Sequence, residues 1–276
     1  MKILFVFILF LSFANALSTY ESKHLLNRTT FSYTKNDLKL FSTFSKSEAV
    51  SFLLNSALNK DVYEIPSSIK EISFTKEKFK TLSISEKKIL RKNKNNKMKE
   101  LQVWWLKMMQ DSSFSFREKM TLFWHNHFVS SYKVVKNPSF MYEQNQMFRE
   151  NALGSFSSLL HNSSKDLAML VYLDNNSNKK SHPNENFSRE LLELFTLGEG
   201  NYKEMDIKEA ARAFTGYRVN KRKNILKKVK KYHDFGKKTF LNKSGYFDAK
   251  DIINIILQQE QTSKFIVSKL YKEFIS

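Results

Sequence analysis

The chain is 276 residues long, with 46 Lys and Arg against 27 Asp and Glu, a formal net charge of +19, 41% hydrophobic residues and no cysteine. That apolar share excludes a wholly disordered chain, and the lack of cysteine excludes disulfide staples, thiolate metal sites and a cysteine nucleophile. Six Gly and three Pro are too few for a β-sandwich, a collagen-like chain or a Gly-rich-loop protein.

Met1 and Lys2 open the chain with a positive charge. Ile3 to Phe13 is apolar except for Ser12, and Ala14-Asn15-Ala16 closes with small residues. This pattern predicts a secretory signal peptide over residues 1–16, cleaved after Ala16. The apolar run is shorter than the roughly 20 residues a spanning helix needs, and no later segment is apolar enough to span. The expected product is therefore a periplasmic or extracellular protein, not an integral membrane protein once cleaved, with residues 17–276 forming a single mostly helical domain.

Capping boxes mark helix starts along that domain. Ser45-Lys46-Ser47-Glu48 opens a segment with Ala49, Phe52, Leu53 and Ala57 at helical spacing, and Ser115 to Glu118 opens another. Thr34 to Asp37 and Ser163 to Asp166 are acidic versions of the same device, in which a hydroxyl takes an orphan N–H and the acid three residues on reaches back. Residues 60–82 are the least periodic and read as a long loop. Residues 87–99 are dense in Lys. About ten helices and no repeat follow from the periodicity.

The segment from Arg117 to Ser131 puts Met120, Phe123, Trp124, His127 and Phe128 on one arc of a helix. His125 falls roughly 160° away from His127, so the two histidines cannot readily share one ion. A core histidine with one hydrogen-bond partner is the plainer reading of His127. From Asn184 to Leu197 a second amphipathic helix is predicted, ended by Gly198, with Phe187, Leu191, Leu194 and Phe195 facing the core and Glu185, Arg189 and Glu193 as a surface ladder. Glu190 lies on the border between the faces, where a carboxylate needs a partner or a raised pKa. The stretch from Arg218 to Lys231 is the second basic run. Thr239 to Tyr246 is the one stretch that reads as extended, so the fold class is all-α, a multi-helix globular domain with long loops and at most a small β-hairpin.

Several blocks stand in a fixed order: Phe116 to Phe128 (FREKMTLFWHNHF), Ala168 to Asn175 (AMLVYLDN), Pro183 to Gly198 (PNENFSRELLELFTLG), Glu209 to Gly216 (EAARAFTG) and His233-Asp234, preceded by His24 to Arg28 (HLLNR). In this order they resemble the family called domain of unknown function 1800, a group of exported bacterial proteins. The resemblance covers nearly all of residues 17–276. It implies a mostly helical exported protein and brings no established activity and no catalytic residues to carry over. Three departures are visible: Lys203 stands where the family usually has a capping Thr, Tyr217 where it has Trp, and the family runs on beyond Ser276, so the domain is expected to be incomplete at its C-terminus.

Two constellations could carry chemistry. Asp174, Asn176 and Asn178, with Glu185 eleven residues after Asp174, place oxygens at positions 1, 3, 5 and 12 of a calcium loop. Lys179 replaces the glycine such a loop uses at its sixth position, and an Asn-rich turn is the plainer reading. The second set is His125, His127, Glu190, His233 and Asp234. Gathered around one pocket, they would bind a transition metal or act as acid and base; scattered, they would be a polar network holding helices in register. No P-loop, G-x-S-x-G, H-E-x-x-H or dinucleotide fingerprint is present. The expected function is thus a cell-envelope enzyme with a His/carboxylate site, metal-assisted or not. The alternative is a non-catalytic envelope module that uses its basic stretches to hold an anionic envelope component. Only eight of the 46 basic residues are Arg, no nucleic-acid-binding signature accompanies them, and nucleic acid is not the expected partner.

Overall fold

The computed structural model describes residues 16–58, 64–66, 69, 81–111, 116–220 and 223–275. Among these, thirteen α-helices and two small antiparallel hairpins make a mostly helical globular protein. The signal-peptide expectation, apart from Ala16, lies outside the described residues, as does most of the expected 60–82 loop. No helix among the described residues is long and apolar enough to cross a membrane.

Three helices form an N-terminal unit: α1 (Thr19–Thr29), α2 (Lys35–Phe41) and α3 (Lys46–Leu58). The predicted boxes start the last two. Asp37 accepts from Thr34 N at 2.6 Å, and Glu48 accepts from Ser45 N at 2.8 Å. A small apolar cluster of Leu17, Leu26, Phe41, Ala49 and Leu53 fills the space between them.

The main core begins with α4 (Ile84–Asp111), which carries the basic 87–99 run, and α5 (Phe116–His127). Then come α6 (Tyr132–Val135), α7 (Pro138–Glu150), α8 (Phe156–Ser163) and α9 (Leu167–Tyr172). Helix α5 stops at His127, short of the predicted Ser131, because Ser131 caps α6 instead by accepting from Lys133 N. Asp166 is itself the cap of α9, taking Met169 N at 2.6 Å, so the predicted box from Ser163 is replaced by a one-residue cap. Aromatic rings dominate the interior. Phe128 lies 5.2 Å from Phe195 and 5.9 Å from Phe148, and Trp124 lies 4.8 Å from Phe123; each such pair adds about 0.5–1.5 kcal/mol beyond its buried area.

Helix α10 is shorter than predicted, Asn186–Glu193. Asn184 accepts from Asn186 N as a turn before it, and Gly198, at φ +80°, closes the far end by donating to Leu192 O. Phe187, Leu191 and Phe195 are buried as expected, but Leu194, the C-cap residue just past the last regular turn, is 48% exposed. Helix α11 (Glu204–Ala213) follows. Lys203 cannot accept a hydrogen bond at its N-cap, so half of the cap remains: Asp206 takes Lys203 N at 2.8 Å.

Thr239 to Tyr246 does contain a hairpin, β3 (Lys238–Phe240) with β4 (Lys243–Gly245). A hairpin that periodicity missed precedes it, β1 (Tyr217–Asn220) with β2 (Ile225–Lys228). Strand β2 reads Ile-Leu-Lys-Lys, with only Leu226 half-buried, so it lacks the alternation that betrays a strand. Helices α12 (Ala249–Leu257) and α13 (Glu260–Phe274) end the description. Phe274 packs 5.3 Å from Phe116, and Arg28 donates to Glu273 O, so α13 closes against both α5 and α1.

Candidate functional site

The two α5 histidines lie on opposite flanks, His127 buried and His125 half-buried. His127 Nε2 donates to Phe195 O at 2.9 Å, which leaves Nδ1 to accept from Lys269 Nζ at 3.3 Å. Lys269 also donates to Leu194 O and lies 4.4 Å from the Phe265 ring. Burial, then the Lys269 charge, push His127 down to about 3. His125 was placed opposite the apolar arc, yet it is covered too: α4 and α7 pack on that flank. Its ring lies 4.7 Å from both Trp105 and Phe148, Asn145 Nδ2 is 3.1 Å from Nε2, and burial with the Arg149 charge brings it to about 3. Beside it Glu118 takes Arg149 on both carboxylate oxygens and Trp105 Nε1 at 2.8 Å.

Glu190 sits half-buried on α10 with no ion pair or side-chain hydrogen bond among the described residues. Burial and the neighbouring Glu193 hold its carboxyl above the ordinary range against the pull of Arg189. The surface ladder is also redrawn. Arg189 pairs with Glu185 at 3.3 Å and more closely with Glu204 at 2.6 Å, while Glu193 accepts from Tyr202.

The four calcium-loop oxygens are each engaged by protein groups. Asp174 accepts from Ser177 Oγ and Asn184 Nδ2, Asn176 Oδ1 from Val219 N at 2.5 Å, and Asn178 Oδ1 from Asn184 N; Glu185 holds Arg189. Asn178 is wholly buried, and its amide donates to Asn175 Oδ1 and Ala211 O. The loop is a hydrogen-bonded turn that anchors β1, and the calcium expectation is not carried further.

His233 and Asp234 belong to a different place. Gly216, at φ +82°, lets three segments meet: it donates to Asn178 O and accepts from Val229 N, and a Cβ there would stand 3.0 Å from His233 N and Val229 O. Thr215 O lies 2.8 Å from His233 Nδ1. A carbonyl only accepts, so Nδ1 carries the proton and Nε2 holds a lone pair. Thr215 Oγ1 accepts from Asp234 N at 2.8 Å. Arg212 on α11 grips Asp234 through Nε at 2.8 Å and also pairs with Glu209, which in turn accepts from Thr239 N and so holds β3.

His233 and Asp234 line an open cleft of about 210 Å³, with Lys228, Phe235, Lys238, Tyr246, Phe247, Asp248 and Asp251. Lys238 is 1% exposed and donates to Asp234 O and Gly236 O. Asp248 caps α12, accepts from Lys250 N, and pairs with Lys228 at 3.3 Å. Phe235 and Tyr246 stand exposed at the mouth. Burial, then the charges of Lys228 and Lys238, hold His233 below its ordinary value against its bond to Thr215 and the charge of Asp248. Burial alone would raise Asp234, but the Arg212 and Gly236 hydrogen bonds outweigh it and keep the carboxyl below the usual range.

The five expected catalytic residues therefore fall in separate places. The cleft takes in His233 and Asp234 and neither α5 histidine nor Glu190. Among the described residues no three His, Asp or Glu side chains are placed to hold a metal ion. Sequence reasoning missed Thr215, Lys228, Lys238 and Asp248. Gly216 was within reach of it, because a Gly just past the end of a helical block marks a backbone position in the left-handed region.

A family profile with the description "Protein of unknown function (DUF1800)" matches residues 24–276. The chain belongs to this family. No curated protein and no solved structure matches it. In this DUF1800 member the wall of the cleft is braced where two consecutive blocks meet, the one ending in Thr215-Gly216 and the His233-Asp234 pair. Tyr217, in place of the expected Trp, lies beside that junction, beneath Lys228 Nζ at 5.8 Å and with its hydroxyl pushed up to about 12 by burial and the Asp248 charge.

Proposed function

We propose that this protein is an exported, cell-envelope enzyme that moves a proton on a small polar substrate, with His233 as the base. One observation carries the reading. His233 has one ring nitrogen pinned to a carbonyl, which sets its tautomer, while the other, a free lone pair, has no protein partner among the described residues and the ring lines an open cleft. A neutral imidazole with a depressed pKa stays unprotonated at neutral pH, the state a general base requires. Lys228 and Lys238 supply positive charge where an oxyanion would develop. Asp234, held by Arg212, positions the His233 backbone through Thr215 and does not need to touch substrate. Export is supported by the leader-like residues 1–16.

The test is turnover of chromogenic carboxylic esters, phosphate esters and glycosides by the purified protein. His233→Gln should lower any activity found by about 10²–10⁴-fold with an unchanged circular dichroism spectrum. Equal activity in the His233→Gln protein, or no turnover of any class, overturns the reading.

A further inference from the structure

The basic run from Arg218 to Lys231 gains a second segment in the fold. Lys180 N–H donates to Tyr232 O at 2.8 Å, and Lys179 bridges to His182, so the 179–182 loop lies against the 230–232 turn. Two lysine pairs far apart in sequence, Lys179-Lys180 and Lys230-Lys231, become neighbours, and all four are exposed. Arg218 reaches between them. Its Nη1 donates to Asn178 O, and its guanidinium stands 4.9 Å from the Tyr232 ring centre, which Lys231 Nζ also approaches at 4.8 Å. None of the four lysines has an ion pair among the described residues. The acids close by are Asp174, which faces Arg218, and Asp248, which is taken by Lys228.

We infer that this ridge is a docking strip for a soluble linear polyanion, a chain bearing repeated sulfate, phosphate or carboxylate groups. Unpaired cations gathered on one ridge raise the local potential and repel one another until an anionic partner neutralises them. Lysines are mobile point charges, suited to a flexible chain with irregular charge spacing, whereas a single phosphate locked in place calls for the arginine fork. Arg218 is committed to two carbonyls, Asn178 O and Tyr217 O, and a ring. A membrane surface is the weaker match, because Tyr232 is half-buried under two cations and not free to insert. The strip adjoins the cleft, since Tyr232 precedes His233, but it stands without the catalytic reading.

The experiment uses the full chain and fluorescein-labelled dextran sulfate and inorganic polyphosphate, read by anisotropy at about 50 mM salt and above. A variant with Lys179→Gln, Lys180→Gln, Lys230→Gln and Lys231→Gln should bind at least about tenfold more weakly and show a shallower dependence on salt. A control with Lys88→Gln, Arg91→Gln, Lys92→Gln and Lys99→Gln removes the same charge from α4 and should change binding less than about twofold if position matters. Should the fourfold ridge variant fail to fold, Lys179→Gln with Lys180→Gln alone should still weaken binding several-fold. Equal loss in ridge and control variants, no binding to either polymer, or stronger binding to phosphatidylglycerol vesicles overturns the inference. His233→Gln should bind both polymers like the parent chain, so failure here and failure of the catalytic reading are separable.

Discussion

Two buried histidines, His127 and His233, show how similar side chains acquire different uses. Both have burial as the main cause of a lowered pKa, and both give one N–H to a backbone carbonyl. His127 has its second nitrogen stopped by Lys269, inside a shell of aromatic rings. His233 has its second nitrogen unpartnered at the wall of a cleft. The first arrangement spends the imidazole on holding α13 against α5. The second leaves an acceptor for something that is not protein. Burial alone therefore does not separate the two histidines; the fate of the second nitrogen does.

The largest expected effect tests how rigid the sealed side is. Glu118→Ala would strand Arg149, whose own Nη1 already has no hydrogen-bond partner among the described residues, and should cost about 3–5 kcal/mol; urea unfolding measures it, and a loss under about 1 kcal/mol would mean that the α5 flank is not a tight core. His127→Ala should cost about 3 kcal/mol through lost ring packing, against about 1 kcal/mol for His233→Gln, which forfeits mainly one hydrogen bond. Equal losses in the same urea series would erase the distinction between the two sites.

Acid should expose the sealed pair. His125 and His127 fall to about 3 in the fold from an ordinary 6.5, so the unfolded chain binds more protons than the folded one between those values. Stability is full above pH 6.5 and declines as pH falls below it, by up to about 1.4 kcal/mol per pH unit for each histidine. Asp166 works in the opposite direction. Burial raises it from 3.8 to about 7, so the folded state holds the extra proton and gains stability as pH falls through that window. Asp166→Asn keeps a capping oxygen and removes this compensation, and its acid loss, followed by thermal melting from pH 7 to 4, should be steeper than that of the parent; a parallel curve would show that Asp166 does not titrate in this way. By NMR, the His233 ring should titrate below its ordinary value while both α5 rings stay silent down to about pH 4.

The smallest change strengthens the helix behind the cleft. Lys203→Thr restores a hydroxyl acceptor at the start of α11, which carries Glu209 and Arg212, and should add about 1 kcal/mol. No gain in melting temperature would mean that Asp206 already satisfies that helix end.

Much of this was legible in the residues, and the failures have identifiable causes. The boxes at Thr34 and Ser45, the buried Phe187, Leu191 and Phe195, and the terminating Gly198 are local matters, settled within one or two turns. Leu194 was misplaced because Glu190 O receives both Leu194 N and Phe195 N, which ends the regular helix early. Hairpin β1–β2 stayed hidden because lysines at a surface edge carry no alternation. His125 was placed opposite the apolar arc with no cover assigned to it, because periodicity sees one helix and not the two that pack on that flank. Of the five residues expected to converge, His233 and Asp234 do share a cleft, while Glu190 has the raised carboxyl that its border position implied but no partner in it.

Composition and periodicity by themselves determined the helical class and the apolar stripes, because these depend on which residue types recur at short spacing, and the ordered residue blocks carried the family resemblance. Which histidine is plugged and which is open, and which lysines stand together, was decided only in three dimensions. Those properties depend on contacts between residues such as His127 and Lys269 or Lys180 and Tyr232, and distant pairs of that kind leave no trace in local pattern.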